Sequence, residues 1–408
     1  MLAILTTHPI QYQVPLWQEL AKEGSVPFEV WYLTDHGTKV SYDVQFGKSF
    51  AWDIDTLSGY PYRFLPVNAS PQVSVFHRLY LKESLGKFLE ERQIKALWIQ
   101  GWQVLAYWQA AWQAYQAGVT VWMRGETNDL RPIATWKKPL KKLLLGKLFT
   151  RISYFLYIGQ ANARFYQQYG VQPTQLYPAG YCVDNSRFAT QAAALQAQRQ
   201  ALRRQWQIPE GAICLLFAGK FIAKKRPLDI LLALQEDSFR NAPVHVLFVG
   251  SGELGEQLRQ GSRVVYDEES STQVAITKAA DNDSAFRPSV SFAGFLNQTE
   301  ISQAYVAADC LILPSDFGET WGLVVNEGMA SGLPAVVSHQ VGCAADLVRP
   351  GETGFVYECG NIEQLRAVFK QMLAQPEQLE RMGSNARQWI QNWSYQQVIS
   401  SIKQVYTA

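Results

Sequence analysis

The chain has 408 residues, 48% of them hydrophobic and 18% charged, with a net charge of +2. That length suits two or three domains with packed cores, and the near-balanced charge excludes a dedicated nucleic-acid binder, which would carry a strong basic excess. The five cysteines, Cys182, Cys214, Cys310, Cys343 and Cys359, are odd in number and show no CxxC spacing, which fits a reducing compartment and argues against a zinc site.

In chain order, Leu2 to Thr6 (LAILT) predicts a buried strand and Val14 to Glu23 a helix. The turn between them, Thr-His-Pro-Ile-Gln-Tyr, lacks glycine. Pro9 holds His8 extended, so the N–H groups of Ile10, Gln11 and Tyr12 can open a helix towards an anion, with His8 and Gln11 adding side-chain hydrogen bonds. Packing of the turn by His8 is the competing reading. Further strands are predicted at 28–34, 95–101, 119–125 and 154–159, then at 212–219, 244–250, 290–295, 310–315 and 334–338. Such near-continuous Val/Ile/Leu/Phe runs, with helical patterns between them, predict an α/β fold of two parallel sheets, each covered by helices. The composition shifts near Arg187. The expected division is a first domain at 1–186, a second at 187–385 and a C-terminal helix at 386–408 returning to the first. Segment 260–289 is polar and reads as a surface loop or a short excursion between two strands. No signal-peptide pattern precedes the first strand, and no apolar run reaches the roughly 18 residues that a membrane span needs. A cytoplasmic protein is expected.

The most informative stretch is PSDFGETWGLVVNEGMASGLPAVVSHQVGCAADLV. Glu319 lies in a loop between Gly318 and Gly322, and Glu327 lies about one turn into the following helix. Backbone N–H groups at a helix start suit phosphate, and ionised carboxylates accept from hydroxyls, so a polyhydroxylated diphosphate satisfies both. In LLFAGKFIAKKRPLDILLAL a strand ends at Gly219, and Lys220 and Lys225 follow in a loop where two ammonium groups can neutralise a diphosphate.

These two stretches, in this order, resemble retaining glycosyltransferases of family 4. Glu319 and Glu327 match the family's Glu-x7-Glu motif. Lys225 matches the family's lysine, whereas Lys220 stands where arginine is usual and Arg226 where glycine is usual. FVGSGEL, with Gly250 and Gly252, resembles the loop flanking the nucleotide base, and AGFLNQTEI, with Phe295 and Leu296, the segment whose backbone contacts that base. YPAGYCVDNSRF resembles the interdomain crossing, and THPIQYQVPLW a bacterial subgroup. The resemblance implies a GT-B fold of two Rossmann-like domains facing across a cleft, and transfer of a sugar from a nucleotide diphosphate, UDP favoured, to a glycan or lipid-linked acceptor hydroxyl with retention. It implies that Lys220 and Lys225 stabilise the leaving diphosphate with N–H groups near Trp321, Gly322 and Leu323, that Glu319 orients the sugar and Glu327 the ribose. Neither metal nor other cofactor is expected. A nucleotide-sugar-binding regulator without turnover and a nucleotide-sugar epimerase are the rival readings.

Other features have competing explanations. Arg124 and Glu126 end a strand, where ligands bind in open α/β sheets. They read as contacts to acceptor or donor sugar, or as an ion pair that shapes the loop. Trp108, Trp112 and Tyr115 recur at helical spacing and read as a core stripe. WKKPLKKLLLGKLFTR (136–151) is basic without an acid. It reads as a solvated helix with one buried leucine face, or as a peripheral contact with an anionic membrane. Asp53-Ile54-Asp55 and Asp281-Asn282-Asp283 have an Asp-x-Asp look but read as ordinary surface segments. His245 is expected to be packed inside a strand, and His339 to border the ligand or serve structure.

Overall fold

The computed structural model describes residues 1–38, 41–43, 48–50, 55–68, 73–132, 134–269 and 286–408. Asp53, Ile54 and the triplet Asp281-Asn282-Asp283 lie outside them. The chain forms two compact units, one built on Met1–Ser41, Phe50–Cys182 and Trp393–Ala408, the other chiefly on Val183–Asn392. The division therefore falls between Cys182 and Val183, where the sequence suggested 186/187, and the final segment joins unit 1 from Trp393 rather than from residue 386.

Unit 1 holds strands β1 (Leu2–Thr6) and β2 (Phe28–Tyr32) and, after the short pair β3 (Ser41–Asp43) and β4 (Lys48–Phe50), which groups with unit 2 apart from Ser41 and Phe50, the strands β5 (Tyr62–Phe64), β6 (Ala96–Ile99), β7 (Thr120–Met123), β8 (Tyr154–Tyr157) and β9 (Leu176–Pro178). Its sheet runs β5-β2-β1-β6-β7-β8-β9, every neighbouring pair parallel. All five residues of β1 are buried, as a strand covered on both faces requires. The helix Val14–Glu23 turns Val14, Leu16, Trp17 and Leu20 inward. The last helix, Tyr395–Thr407, is capped by Ser394, whose side chain accepts from Gln397 N–H. Its Val398, Ile399, Ile402 and Val405 join one core with Leu2, Ile4, Trp17 and Trp98. Burial of each such side chain is worth about 1.5–3 kcal/mol, so the helix is held mainly by this apolar face. The Lys403–Glu23 ion pair at 2.6 Å on its exposed side adds little.

Unit 2 holds β10 (Ile213–Ala218), β11 (Val244–Val249), β12 (Arg263–Asp267), β13 (Ser289–Phe292), β14 (Cys310–Leu313), β15 (Ala335–Ser338) and β16 (Gly354–Tyr357). They form a second parallel sheet in the order β12-β13-β11-β10-β14-β15-β16. The chain builds outward from β10 on one side and then crosses to β14 on the other. That reversal places the topological switch point, where open α/β sheets bind ligands beyond the strands' carboxyl ends, between β10 and β14. In unit 1 it lies between β1 and β6.

Two sequence expectations are corrected. Part of segment 260–289 is strand β12 rather than loop; an edge strand has one neighbour and half-exposed side chains, so RVVYD lacks the apolar run that marks a central strand. Of the Trp108/Trp112/Tyr115 stripe only Trp108, half-buried, packs against the core. The helix Leu105–Gln116 buries Ala106, Tyr107, Ala110, Ala111 and Ala114 instead, leaving Trp112 and Tyr115 exposed. Small alanines let this helix approach the sheet closely. His245 is fully buried in β11 as expected. Among the described residues no helix is long and apolar enough to cross a membrane.

Candidate functional site

In unit 2 the loops leaving β10 and β14 lie side by side because those strands pair. Asp316 N–H donates to Lys224 C=O at 2.9 Å, Lys224 Nζ donates to Gly318 C=O at 3.3 Å, and Lys225 Nζ forms an ion pair with Glu319 Oε2. Both members of that pair are largely buried, so the attraction is screened less than at the surface. Lys220, half-buried, directly follows Gly219 at the end of β10.

The Glu319 loop is held from several sides. The Asp316 carboxylate accepts from Gly318 N–H at 2.6 Å, Asp316 C=O accepts from Glu319 N–H at 3.0 Å, and Gly342 N–H donates to Glu319 C=O at 3.0 Å. A Cβ on Gly342 would stand 1.9 Å from Thr320 O, so only glycine allows this contact. Gly322 caps the helix Leu323–Ala330 at φ +99, a conformation that favours glycine. Its C=O accepts from Val325 N–H at 2.9 Å, and the earlier N–H groups have no carbonyl one turn back, as at any helix start. Burial, and then the Glu319 charge, push the Cys343 thiol well above its ordinary range. Cys343 is therefore a neutral packing group beneath Gly322, not a nucleophile.

Glu327 lies in the same helix, buried, and its Oε2 accepts from Tyr305 Oη at 2.5 Å. Trp321 is also buried, its indole donating to Asn326 Oδ1 at 2.9 Å. Its side chain therefore builds the loop, and its C=O accepts from Cys343 N–H at 3.0 Å. Gly250 and Gly252 follow β11. A Cβ on Gly250 would lie 2.1 Å from Gly219 O, and Gly250 N–H donates to Gly294 C=O at 2.7 Å. Thus Gly219, Gly250 and the segment leading to half-buried Phe295 and Leu296 meet at one end of the sheet. Every unit 2 residue expected from sequence to bind the donor or act in catalysis lies at this carboxyl end or in the helix that starts there. Tyr305, Asp316 and Gly342 were missed. The glycine in HQVGC was the one legible trace, and a tyrosine on another helix carries none.

In unit 1 the turn after β1 has no glycine because none is needed: Ile10 C=O accepts from both Gln13 N–H at 2.8 Å and Val14 N–H at 3.0 Å and so starts the helix. His8 Nδ1 lies 2.8 Å from Thr7 Oγ1, with the rings of His36 and Phe76 at 5.2 and 5.3 Å. Burial, aided by His36, lowers its pKa to about 4, so the ring is neutral at pH 7. Gln11 is buried, and among the described residues none donates a hydrogen bond to its Oε1. Arg124 is buried beneath the Tyr181 ring at 4.5 Å and donates through Nε to Ala179 C=O at 3.2 Å. The Tyr181 hydroxyl donates to Glu126. Arg124 and Glu126 are thus joined through Tyr181, which the sequence did not single out. Burial, the largest cause, pushes the Tyr107 hydroxyl above its ordinary range, and the Glu126 charge acts in the same direction. His339, in unit 2, has a structural partner: its Nδ1 accepts from Cys359 N–H at 3.0 Å.

Chemically, the unit 2 arrangement offers paired ammonium groups, a helix start and two carboxylates at a switch point, a set suited to an anionic, hydroxylated ligand. Among the described residues no group of three or more His, Cys, Asp or Glu could hold a metal ion.

Residues 198–389 match the family model described as glycosyl transferases group 1. Sulfoquinovosyl transferase SQD2 of Arabidopsis thaliana is 35% identical over 115 residues, 28% of this chain and 22% of that protein. D-inositol 3-phosphate glycosyltransferase of Geodermatophilus obscurus is 30% identical over 249 residues, 59% of this chain and 49% of that protein. The chain thus spans less than half the length of these two curated relatives. The crystal structure of HepE from Anabaena in complex with UDP and glucose is similar over 100% of this chain and 99% of that one, with a TM-score of 0.64 at 16% identity. That likeness, with the two parallel seven-stranded sheets, shows the GT-B fold.

Proposed function

We propose that the chain is a group 1 glycosyltransferase that moves a sugar from a UDP-sugar to an acceptor hydroxyl with retention of configuration, in synthesis of a cell-surface glycan or glycolipid. The observation that carries this reading is the Lys225–Glu319 ion pair, which brings the two motifs of the matched segment 198–389 into contact.

In the proposed reaction the donor diphosphate lies over the start of the helix Leu323–Ala330. Lys225, held ready by Glu319, turns to the phosphate oxygens, and Lys220 and the N–H groups around Gly322 and Leu323 share the charge that grows as the glycosidic bond breaks. Glu319, released from Lys225, accepts from sugar hydroxyls. Glu327 accepts from the ribose while Tyr305 holds its carboxylate. The departing phosphate takes the proton of the incoming hydroxyl on the same face. The lysines supply the positive charge that a metal ion would otherwise bring, so none is required. His8, Gln11, Arg124 and Glu126 belong to the acceptor side in this reading; the orphaned Gln11 carbonyl is a ready acceptor for a substrate hydroxyl.

The experiment is a thermal-shift screen of nucleotide sugars on the purified chain, then transfer assays with the best one and NMR of the anomeric configuration. Stabilisation by a UDP-sugar and an α-linked product from an α-linked donor are expected. Binding without turnover would make the chain a regulator, conversion of the donor without an acceptor would make it an epimerase, and an inverted product would overturn the mechanism.

A further inference from the structure

The helix Lys138–Phe149 buries only Leu145, Leu148 and Phe149. Lys141 also turns inward, its ammonium lying over the rings of Phe165, Trp102 and Tyr169 at 4.9, 5.4 and 5.5 Å. Three aromatic faces around one cation fasten the helix to unit 1. The opposite face carries Leu140, Leu143 and Leu144, exposed by 59%, 69% and 49%, and Trp136 just before the helix is 75% exposed. Lys137, Lys138, Lys142 and Lys147 are exposed among them, and no acidic residue occurs between Trp136 and Arg151.

Both ends of the helix carry aromatic rings paired with cations. At the N-terminal end Lys137 lies over Trp136 at 5.0 Å. At the other, Arg151 lies over Trp112 at 4.4 Å and Tyr115 at 5.8 Å, the two exposed rings of the helix Leu105–Gln116. Three exposed leucines on a twelve-residue helix are costly in water. Trp and Tyr next to cations favour the headgroup depth of a bilayer, and aromatics at both ends favour a helix lying in the plane of the interface.

We infer that this face docks onto an anionic lipid surface, with Leu140, Leu143, Leu144 and Trp136 entering the acyl boundary and Lys137, Lys138, Lys142 and Lys147 meeting the headgroups. Charge complementarity selects this occupant. A second copy of the same face would set lysines against lysines, whereas anionic headgroups draw all four. Lys141 contributes nothing to the lipid contact, because the aromatic rings already hold it. The inference does not rest on the transferase reading, since no nucleotide or sugar enters it.

The test is flotation of the full chain with phosphatidylcholine vesicles, with and without phosphatidylglycerol, at low and high salt. Flotation with the anionic vesicles alone, weakened by salt, is expected. The pair Leu140→Gln and Leu143→Gln should lower the partition coefficient about tenfold or more, and each of Lys137→Gln, Lys138→Gln, Lys142→Gln and Lys147→Gln about fivefold. These side chains are exposed, so circular-dichroism melting should be unchanged in every variant. No flotation on anionic vesicles, equal flotation on neutral ones, or a dimer in sedimentation that the leucine substitutions dissociate would each overturn the inference.

Discussion

Tyr305 donates its hydroxyl to Glu327 at 2.5 Å in the interior of unit 2, so the carboxylate proposed to hold the ribose is positioned by a residue from a different helix. Tyr305→Phe leaves the packing almost intact but removes a donor to a buried charge, at a cost of about 1.5–3 kcal/mol. A donor KM raised several-fold with kcat nearly unchanged is expected, together with a lower urea midpoint. Steady-state kinetics beside urea unfolding check this. A kcat loss as large as the change in kcat/KM would place Tyr305 at the chemistry instead.

Glu319→Gln and Glu327→Gln should fail in different ways. Ribose contacts are equal in ground and transition states, so losing Glu327 raises donor KM. Sugar contacts strengthen as positive charge develops at the anomeric carbon, so losing Glu319 lowers kcat. Glu319→Gln also frees Lys225 from its ion pair, so UDP should bind that variant normally or more tightly and the Glu327 variant more weakly. Calorimetric titration of both with UDP decides, and equal losses in the two would end this division of roles.

Gly342→Ala tests the support of the Glu319 loop. Its Cβ would collide with Thr320 O at 1.9 Å, and backbone atoms cannot swing aside as a flexible side chain can. A stability loss of about 1–3 kcal/mol is expected, with transfer activity reduced at least tenfold even at temperatures where the variant is folded. Wild-type kcat in a folded Gly342→Ala protein would show that the loop tolerates displacement.

Transfer activity should persist in EDTA. The motivation is the pair of lysines at the switch point, which supplies the charge needed at the diphosphate. Loss of activity on chelation, restored by Mg2+ or Mn2+, would reassign that role to a metal.

His245 predicts an acid-sensitive unit 2. Ser291 Oγ donates to Trp206 C=O at 2.6 Å, so towards His245 Nε2, 3.0 Å away, it accepts, and the buried ring carries its proton on Nε2 while Nδ1 faces Ser289 Oγ at 3.0 Å. Burial, with Arg203 and Arg263, lowers the pKa from 6.5 to about 3. Between those values the unfolded chain binds the extra proton. The stabilising contribution is complete above pH 6.5 and is lost as pH falls towards 3, by up to about 1.4 kcal/mol per pH unit. Urea midpoints from pH 7 to 4 should fall accordingly, and His245→Asn should flatten that slope. An unchanged slope in the variant would assign the acid sensitivity to other groups.

Much of the architecture was legible locally. The continuous apolar runs of β1, β10, β11 and β14 announce strands covered on both faces, and a two-sheet α/β fold follows from their alternation with helices. The family resemblance joined Glu319, Glu327, Lys220 and Lys225 into one candidate site, and the spacing agreed with it, because a motif that ends a strand and starts a helix places its residues at the sheet's carboxyl end. Strand order then decided what they touch. That β10 pairs with β14 is a long-range choice that sets Lys225 against Glu319, and its pairing with β11 sets Gly219 against Gly250. Tyr305 reaches Glu327 across a helix–helix contact that no local pattern encodes. Edge strand β12 escaped notice because half-exposed residues carry no periodic signal. The Trp112/Tyr115 stripe was assigned to the core because helical spacing tells which residues share a face but not which face meets the sheet. The alanines on the other side decided that, and by burying themselves they left the aromatic rings to the surface.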